Sequence, residues 1–161
     1  MTSTLPGPLD RELAEAAFVC DLLRVRDLLA RGASPDARDG EGRPPLVSAI
    51  LGNSVALVGL LLESKADVDA ADPQGWRPLH FAAEESLPQM ASLLLAKNAD
   101  PNLKDDAGNT PLHRAVFSAR GRDEVVRLLR KAGARDDVKN KAGETPRSLA
   151  ERLGLNVFTS N

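Results

Sequence analysis

Aromatic residues are scarce in this chain: four phenylalanines, one tryptophan and no tyrosine among 161 residues. A core of bulky rings is excluded, and small side chains must let the elements approach closely. Cysteine occurs once, as Cys20, which rules out an internal disulfide framework. Its setting, Ala16-Ala17-Phe18-Val19-Cys20, predicts a buried position on a helix. With only two histidines besides, no cluster with zinc-ligand spacing can be drawn. Neither a Gly-rich phosphate loop nor a calcium-loop series of carboxylates occurs. No metal and no cofactor is expected. Apolar runs fall well short of the roughly 20 residues that span a bilayer. Residues 1–8 have neither a cationic start nor an apolar stretch, so no secretory signal or membrane anchor is predicted. A cytoplasmic location and no membrane partner are the corresponding expectations.

Neither sign of charge prevails, with 21 Lys/Arg against 23 Asp/Glu. The distribution is uneven: residues 1–100 carry 9 basic and 15 acidic side chains, residues 101–161 carry 12 and 8. Solvated helix faces explain most of these charges, and a partner of complementary polarity is the sharper reading. Among the basic residues of the carboxy-terminal third stand Arg120, Arg122, Arg127, Arg130, Lys131 and Arg135. Acids sit among them and no aromatics are interleaved, so nucleic acid is not expected as a partner.

What the chain does have is a period. Gly42, Gly75 and Gly108 are equally spaced, within Asp39-Gly-Glu-Gly42-Arg43-Pro44-Pro45-Leu46, Asp72-Pro-Gln-Gly75-Trp76-Arg77-Pro78-Leu79-His80 and Asp105-Asp-Ala-Gly108-Asn109-Thr110-Pro111-Leu112-His113. A fourth copy, Asn140-Lys-Ala-Gly143-Glu144-Thr145-Pro146-Arg147, comes slightly later than that interval requires, because two extra residues lie around 118–122. Each unit closes with a leucine run ending at Ala33, Ala66, Ala99 or Ala134. The residue before that alanine is expected to end a helix in the left-handed conformation. Gly32, Asn98 and Gly133 suit this role, and Lys65 does not. Thr110 and Thr145 each place a capping oxygen ahead of a proline preorganised for the first helical turn. Pro44 and Arg77 offer no such oxygen, which predicts blurred starts for the two helices that follow them.

The chain resembles the ankyrin-repeat family over roughly residues 9–155, because the period fits and independent motif elements keep one register. Departures are Val47 for the motif histidine, Arg77 for the threonine, and Arg147-Ser148 for Leu-His. The resemblance implies an all-α solenoid of about five helix-turn-helix repeats with β-turn fingers. The repeats fall near 9–38, 39–71, 72–104, 105–139 and 140–158, after a loose segment 1–8, with the terminal units as caps. It also implies partner binding on a concave side made of finger tips and first-helix positions. On the fingers these positions include Arg38, Glu41, Arg43, Gln74, Trp76, Lys104, Asp106 and Asn109. On the first helices they are Leu51, Glu84, Glu85, Phe117 and Ser118, with Arg120 and Arg122 on the lengthened loop. Trp76 has two readings: an interface hot spot, or an indole folded over Pro44, Pro45 and the Arg43 stem of the neighbouring finger.

Catalysis needs a nucleophile, base and charge stabiliser brought together, and none is visible. His80 and His113 share a motif position, so a structural hydrogen bond explains them, and Cys20 reads as a packing thiol. The function expected is a non-enzymatic protein-binding module, a monomer when free. It would inhibit or neutralise a toxin or enzyme in the manner of an immunity protein, or bridge several proteins as an adaptor. An enzyme or accessory subunit ranks below both.

Overall fold

The computed structural model describes residues 7–119 and 122–158. Within them lie the helices α1 (Pro8–Phe18), α2 (Leu22–Ala30), α3 (Pro45–Leu51), α4 (Val55–Glu63), α5 (Pro78–Glu84), α6 (Pro88–Ala96), α7 (Pro111–Ser118), α8 (Glu124–Lys131) and α9 (Pro146–Arg152). No strand occurs among the described residues. The helices form two layers: α1, α3, α5, α7 and α9 pack side by side in one, and α2, α4, α6 and α8 in the other. Leu46, Leu79 and Leu112 recur once per unit, and all are fully buried between the layers with Leu28, Leu61, Leu94 and Leu129. Ala16, Ala49, Ala82, Ala115 and Ala150 are buried at the matching first-helix position, where a larger side chain would hold the helices apart.

Four first helices start at the proline of their motif, whichever residue precedes it: Pro45, Pro78, Pro111 and Pro146. The blurred starts expected after Pro44 and Arg77 do not occur. Proline fixes φ near the helical value and, standing at the first position, removes one of the orphan amides, so it marks the boundary whether or not a cap precedes it. Of the two threonines, Thr145 caps as expected, accepting the Ser148 amide at 3.0 Å while the Ser148 hydroxyl accepts that of Thr145 at 2.9 Å. The Thr110 hydroxyl instead lies 3.0 Å from Nδ1 of His113.

Residues closing the second helices adopt the left-handed conformation, with φ of 97° at Gly32, 70° at Lys65, 65° at Asn98 and 90° at Gly133. The turns after the first helices do the same at Cys20, Asn53 and Ser86, with φ of 55°, 51° and 52°. Cys20 is therefore not in a helix, and it is only half-buried. Its register with Asn53 and Ser86 places it in the turn, although the residues before it are good helix formers. Its Sγ lies against Gly52, where an added Cβ would collide with it. In the fourth unit the same position, Ala119, is right-handed, with φ −58°.

The ends differ from the middle. α1 begins at Pro8, one residue before the expected Leu9, and its first turn stands where the other units carry a finger. In the fifth unit the described residues form α9, with Val157 buried behind it. The guanidinium carbons of Arg130 and Arg147 lie 5.3 and 5.6 Å from the ring centre of Phe158, which closes that end. Arg120 lies outside the described residues, and Arg122 is exposed.

A second set of ties joins the loops after the second helices. Asp36, Asp69 and Asn102 accept the amides of Asp67, Asp100 and Arg135, each about one repeat further on. Burial raises the Asp69 carboxyl above its ordinary range.

Lys65 alone among the four second-helix terminators pairs a long side chain with positive φ. Lys65→Gly should raise the unfolding free energy by about 0.5–1 kcal/mol, read from urea denaturation. An unchanged or lower value would show that this turn carries no backbone strain.

Candidate binding face

Each finger is built on one side chain. Asp39 accepts the amides of Glu41 and Arg43, both at 2.9 Å. Asp72 does the same for Gln74 and Trp76, Asp105 for Ala107 and Asn109, and Asn140 for Ala142 and Glu144. With its own amides satisfied, each turn holds its shape before anything docks on it. Gly108, at φ +79°, lets the next finger come close, since a Cβ there would meet the Lys141 amide nitrogen at 2.9 Å.

Neighbouring fingers are joined by backbone bonds from Asp106 N–H to the Gln74 carbonyl (3.1 Å) and from Lys141 N–H to that of Ala107 (3.0 Å). Histidine supplies a second tie. Nδ1 of His80 accepts the Arg77 amide (3.2 Å), and its Nε2 donates to the Asn109 carbonyl of the next finger (2.9 Å). His113 repeats this with Thr110 (3.0 Å) and Glu144 (3.1 Å). The first two fingers lack both ties, because Pro73 has no amide to donate and Val47 has no ring nitrogen. Arg38 substitutes by donating Nη1 to the carbonyls of Gly42 (2.7 Å) and Ala71 (2.6 Å).

Trp76 is half-buried and turns toward the following unit. Its ring centre lies 5.1 Å from that of Phe81, and the Arg114 guanidinium carbon sits 3.9 Å above it. In the preceding finger Pro44 and Pro45 are buried, and Arg43 pairs with Glu41. Arg114 continues to Asp105 at 2.5 Å, whose side chain is fully enclosed. Burial pushes the Asp105 carboxyl up, but Arg114 and the Asn109 amide outweigh it and hold the group below its ordinary value.

Beside the fingers runs a row of first-helix positions spaced by the repeat: Phe18, Leu51, Glu84 and Phe117, with Arg152 on α9. Phe18, Leu51 and Phe117 are 66%, 43% and 57% exposed. Phe18 and Val19 were not among the sequence-predicted positions, because the first unit has no finger motif to count from. Counting back one period from Leu51 reaches Phe18, which is the signal that finds it. Arg114 was missed in the same way, one period after Phe81.

The predicted residues divide by what they already hold. Arg38 joins fingers, Lys104 donates Nζ to the Lys139 carbonyl (3.0 Å), and Asn109 accepts from both His80 and the Asn140 side chain. Trp76 and Arg43 are half-buried and engaged. Gln74, Asp106, Leu51, Glu85 and Phe117 are exposed, as is Glu41, whose partner is Arg43. Glu84 and Ser118 are half-buried, and the Ser118 carbonyl accepts the Ser86 hydroxyl at 3.5 Å.

A family model for three ankyrin repeats matches residues 13–105, and one for a single ankyrin repeat matches residues 107–141. The chain belongs to the ankyrin-repeat family. A search of curated proteins returned no match. Ankyrin repeats mark a protein–protein interaction module, and proteins of this family are generally non-enzymatic. Among the described residues, no group of His, Cys, Asp or Glu side chains could hold a metal ion, and no helix is long and apolar enough to cross a membrane.

The ankyrin histidines bind as neutral rings. Protonation would place a hydrogen on Nδ1 facing an amide donor, and burial already lowers His113 and takes His80 from 6.5 to about 4. A native pKa below the unfolded one means stability is full above about pH 6.5 and is lost as pH falls from there toward about 4. Between about pH 7 and pH 5, His80 alone should cost the fold about 2 kcal/mol, with His113 adding in the same direction. Urea midpoints that do not move over this range would contradict the neutral, buried assignment.

Arg114→Ala leaves the enclosed Asp105 carboxylate without its cation and should cost about 3 kcal/mol in the same measurement. A loss below about 1 kcal/mol would mean that the finger amides alone compensate Asp105.

Proposed function

We propose that this ankyrin stack captures another protein on its concave face, along the row from Phe18 to Phe117 and the finger tips beside it. The observation that carries the reading is the row itself. Three large apolar side chains at repeat spacing stay exposed next to fingers whose own polar groups are satisfied. Apolar residues grouped on one face mark interaction sites more than scattered ones do. A partner enclosing Leu51 or Phe117 gains about 2 kcal/mol or more from each such anchor. The fingers are held before docking, so little conformational entropy is lost. The action is occlusion of one target, inhibiting or neutralising it, by a chain that is monomeric when free, works in the cytoplasm and performs no chemistry. A general adaptor is the second reading, favoured by the exposed finger-tip charges Glu41, Asp106 and Lys141, which offer a polar surface besides the apolar row.

Affinity capture from the host should recover one dominant partner with the wild-type chain and lose it with Leu51→Asp, Phe117→Asp, checked for folding by circular dichroism. Several weaker partners, all lost in the variant, would favour the adaptor. Equal capture by both chains would place the interface elsewhere and overturn the reading.

A further inference from the structure

Glu84 departs from its row. The flanking units carry Leu51-Gly52 and Phe117-Ser118 where the third carries Glu84-Glu85. These two acids are the last residue and the cap of α5, where the helix dipole disfavours negative charge. Among the described residues no basic side chain forms an ion pair with either of them. Oε2 of Glu84 is enclosed and accepts no hydrogen bond, whereas Oε1 is not enclosed. The carboxylate is thus held half out of water with only one oxygen left to solvation, and no described side chain pairs with it. Apolar residues hold the matching positions on the helices to either side. Phe117 and Leu51 flank it in register, and beyond Leu51 a cleft of about 520 Å³ opens between α1 and the first finger, its floor formed by Ala14, Phe18, Val19 and Gly40 and its rim by two opposite-charge sets, Arg11 with Glu15 and Arg38 with Asp39.

Resting on the concave-face reading above, we infer that the captured segment is basic and apolar, with a lysine or arginine of the partner over Glu84 and an apolar side chain in the Phe18 cleft. An ammonium or guanidinium reaching Oε1 supplies the missing counter-charge, and its aliphatic stem lies along Leu51 or Phe117. The excess of acids over bases in residues 1–100 favours the same partner and repels an acidic one. Helices in one layer pack about 10 Å apart, so the two contacts lie about 20 Å from each other, or roughly six residues of extended chain.

The test is a random-peptide display selection on the full chain, followed by fluorescence anisotropy of the enriched peptides on wild type, Glu84→Gln and Leu51→Asp, each checked for folding. The expected peptides pair Lys or Arg with a large apolar residue and bind Glu84→Gln roughly tenfold more weakly. Peptides lost on Leu51→Asp but indifferent to Glu84→Gln, or lacking a basic residue, overturn this inference and leave the concave face standing. Peptides indifferent to both variants bind elsewhere and count against both readings. A selection with no binder also overturns the inference, because short basic-apolar segments are abundant in such a library.

Discussion

A single ankyrin unit has too few side chains to bury its own leucines, and this governs the rest of the molecule. Leu79 is fully buried only because α3 and α7 stand on either side of α5. Every interior position must therefore suit two neighbours, and small residues recur wherever first helices meet. The first and last described units depart from the repeat. α1 replaces a finger with a helical turn, and among the described residues no second helix follows α9.

Stacking creates a second requirement, since the loops between helices carry backbone groups that no helix satisfies. The chain meets it by handing hydrogen bonds from one unit to the next. Finger amides go to finger carbonyls, histidine Nε2 to the following turn, and loop carboxylates to amides one period away. These ties are uneven. Between the first two fingers Pro73 and Val47 remove both, and Arg38 carries that junction. From the second finger onward the bonds are regular, and the Trp76, Arg114 and Asp105 contacts add to them. A face rigid in its middle and served by fewer ties at its amino-terminal end positions Leu51 and the Phe18 cleft where the stack is least constrained.

Much of this was legible beforehand for one reason: residues at one register position meet one environment. The terminating turns, including the strained Lys65, and the structural use of both histidines could be read from spacing alone. Local pattern misleads where it conflicts with register. Ala16 to Val19 look helical and drew Cys20 along with them, yet the period puts Cys20 in a turn. Phe18 was overlooked because its unit has no finger, although its exposure follows from its register with Leu51. Arg38 and Lys104, exposed on finger positions, also bind carbonyls of the next finger, which spacing alone does not reveal.

By itself the sequence determined the family, the positive-φ residues that end the second helices and the leucine ladder, all consequences of chain-local sterics repeated at a constant period. Only the tertiary structure decided what each exposed-looking side chain does. Whether Trp76 faces a partner or Arg114, whether Arg38 is free or bonded, and whether Glu84 has a counter-ion depend on atoms in neighbouring repeats. Distances between such atoms are fixed by how units stack, and no local pattern records them.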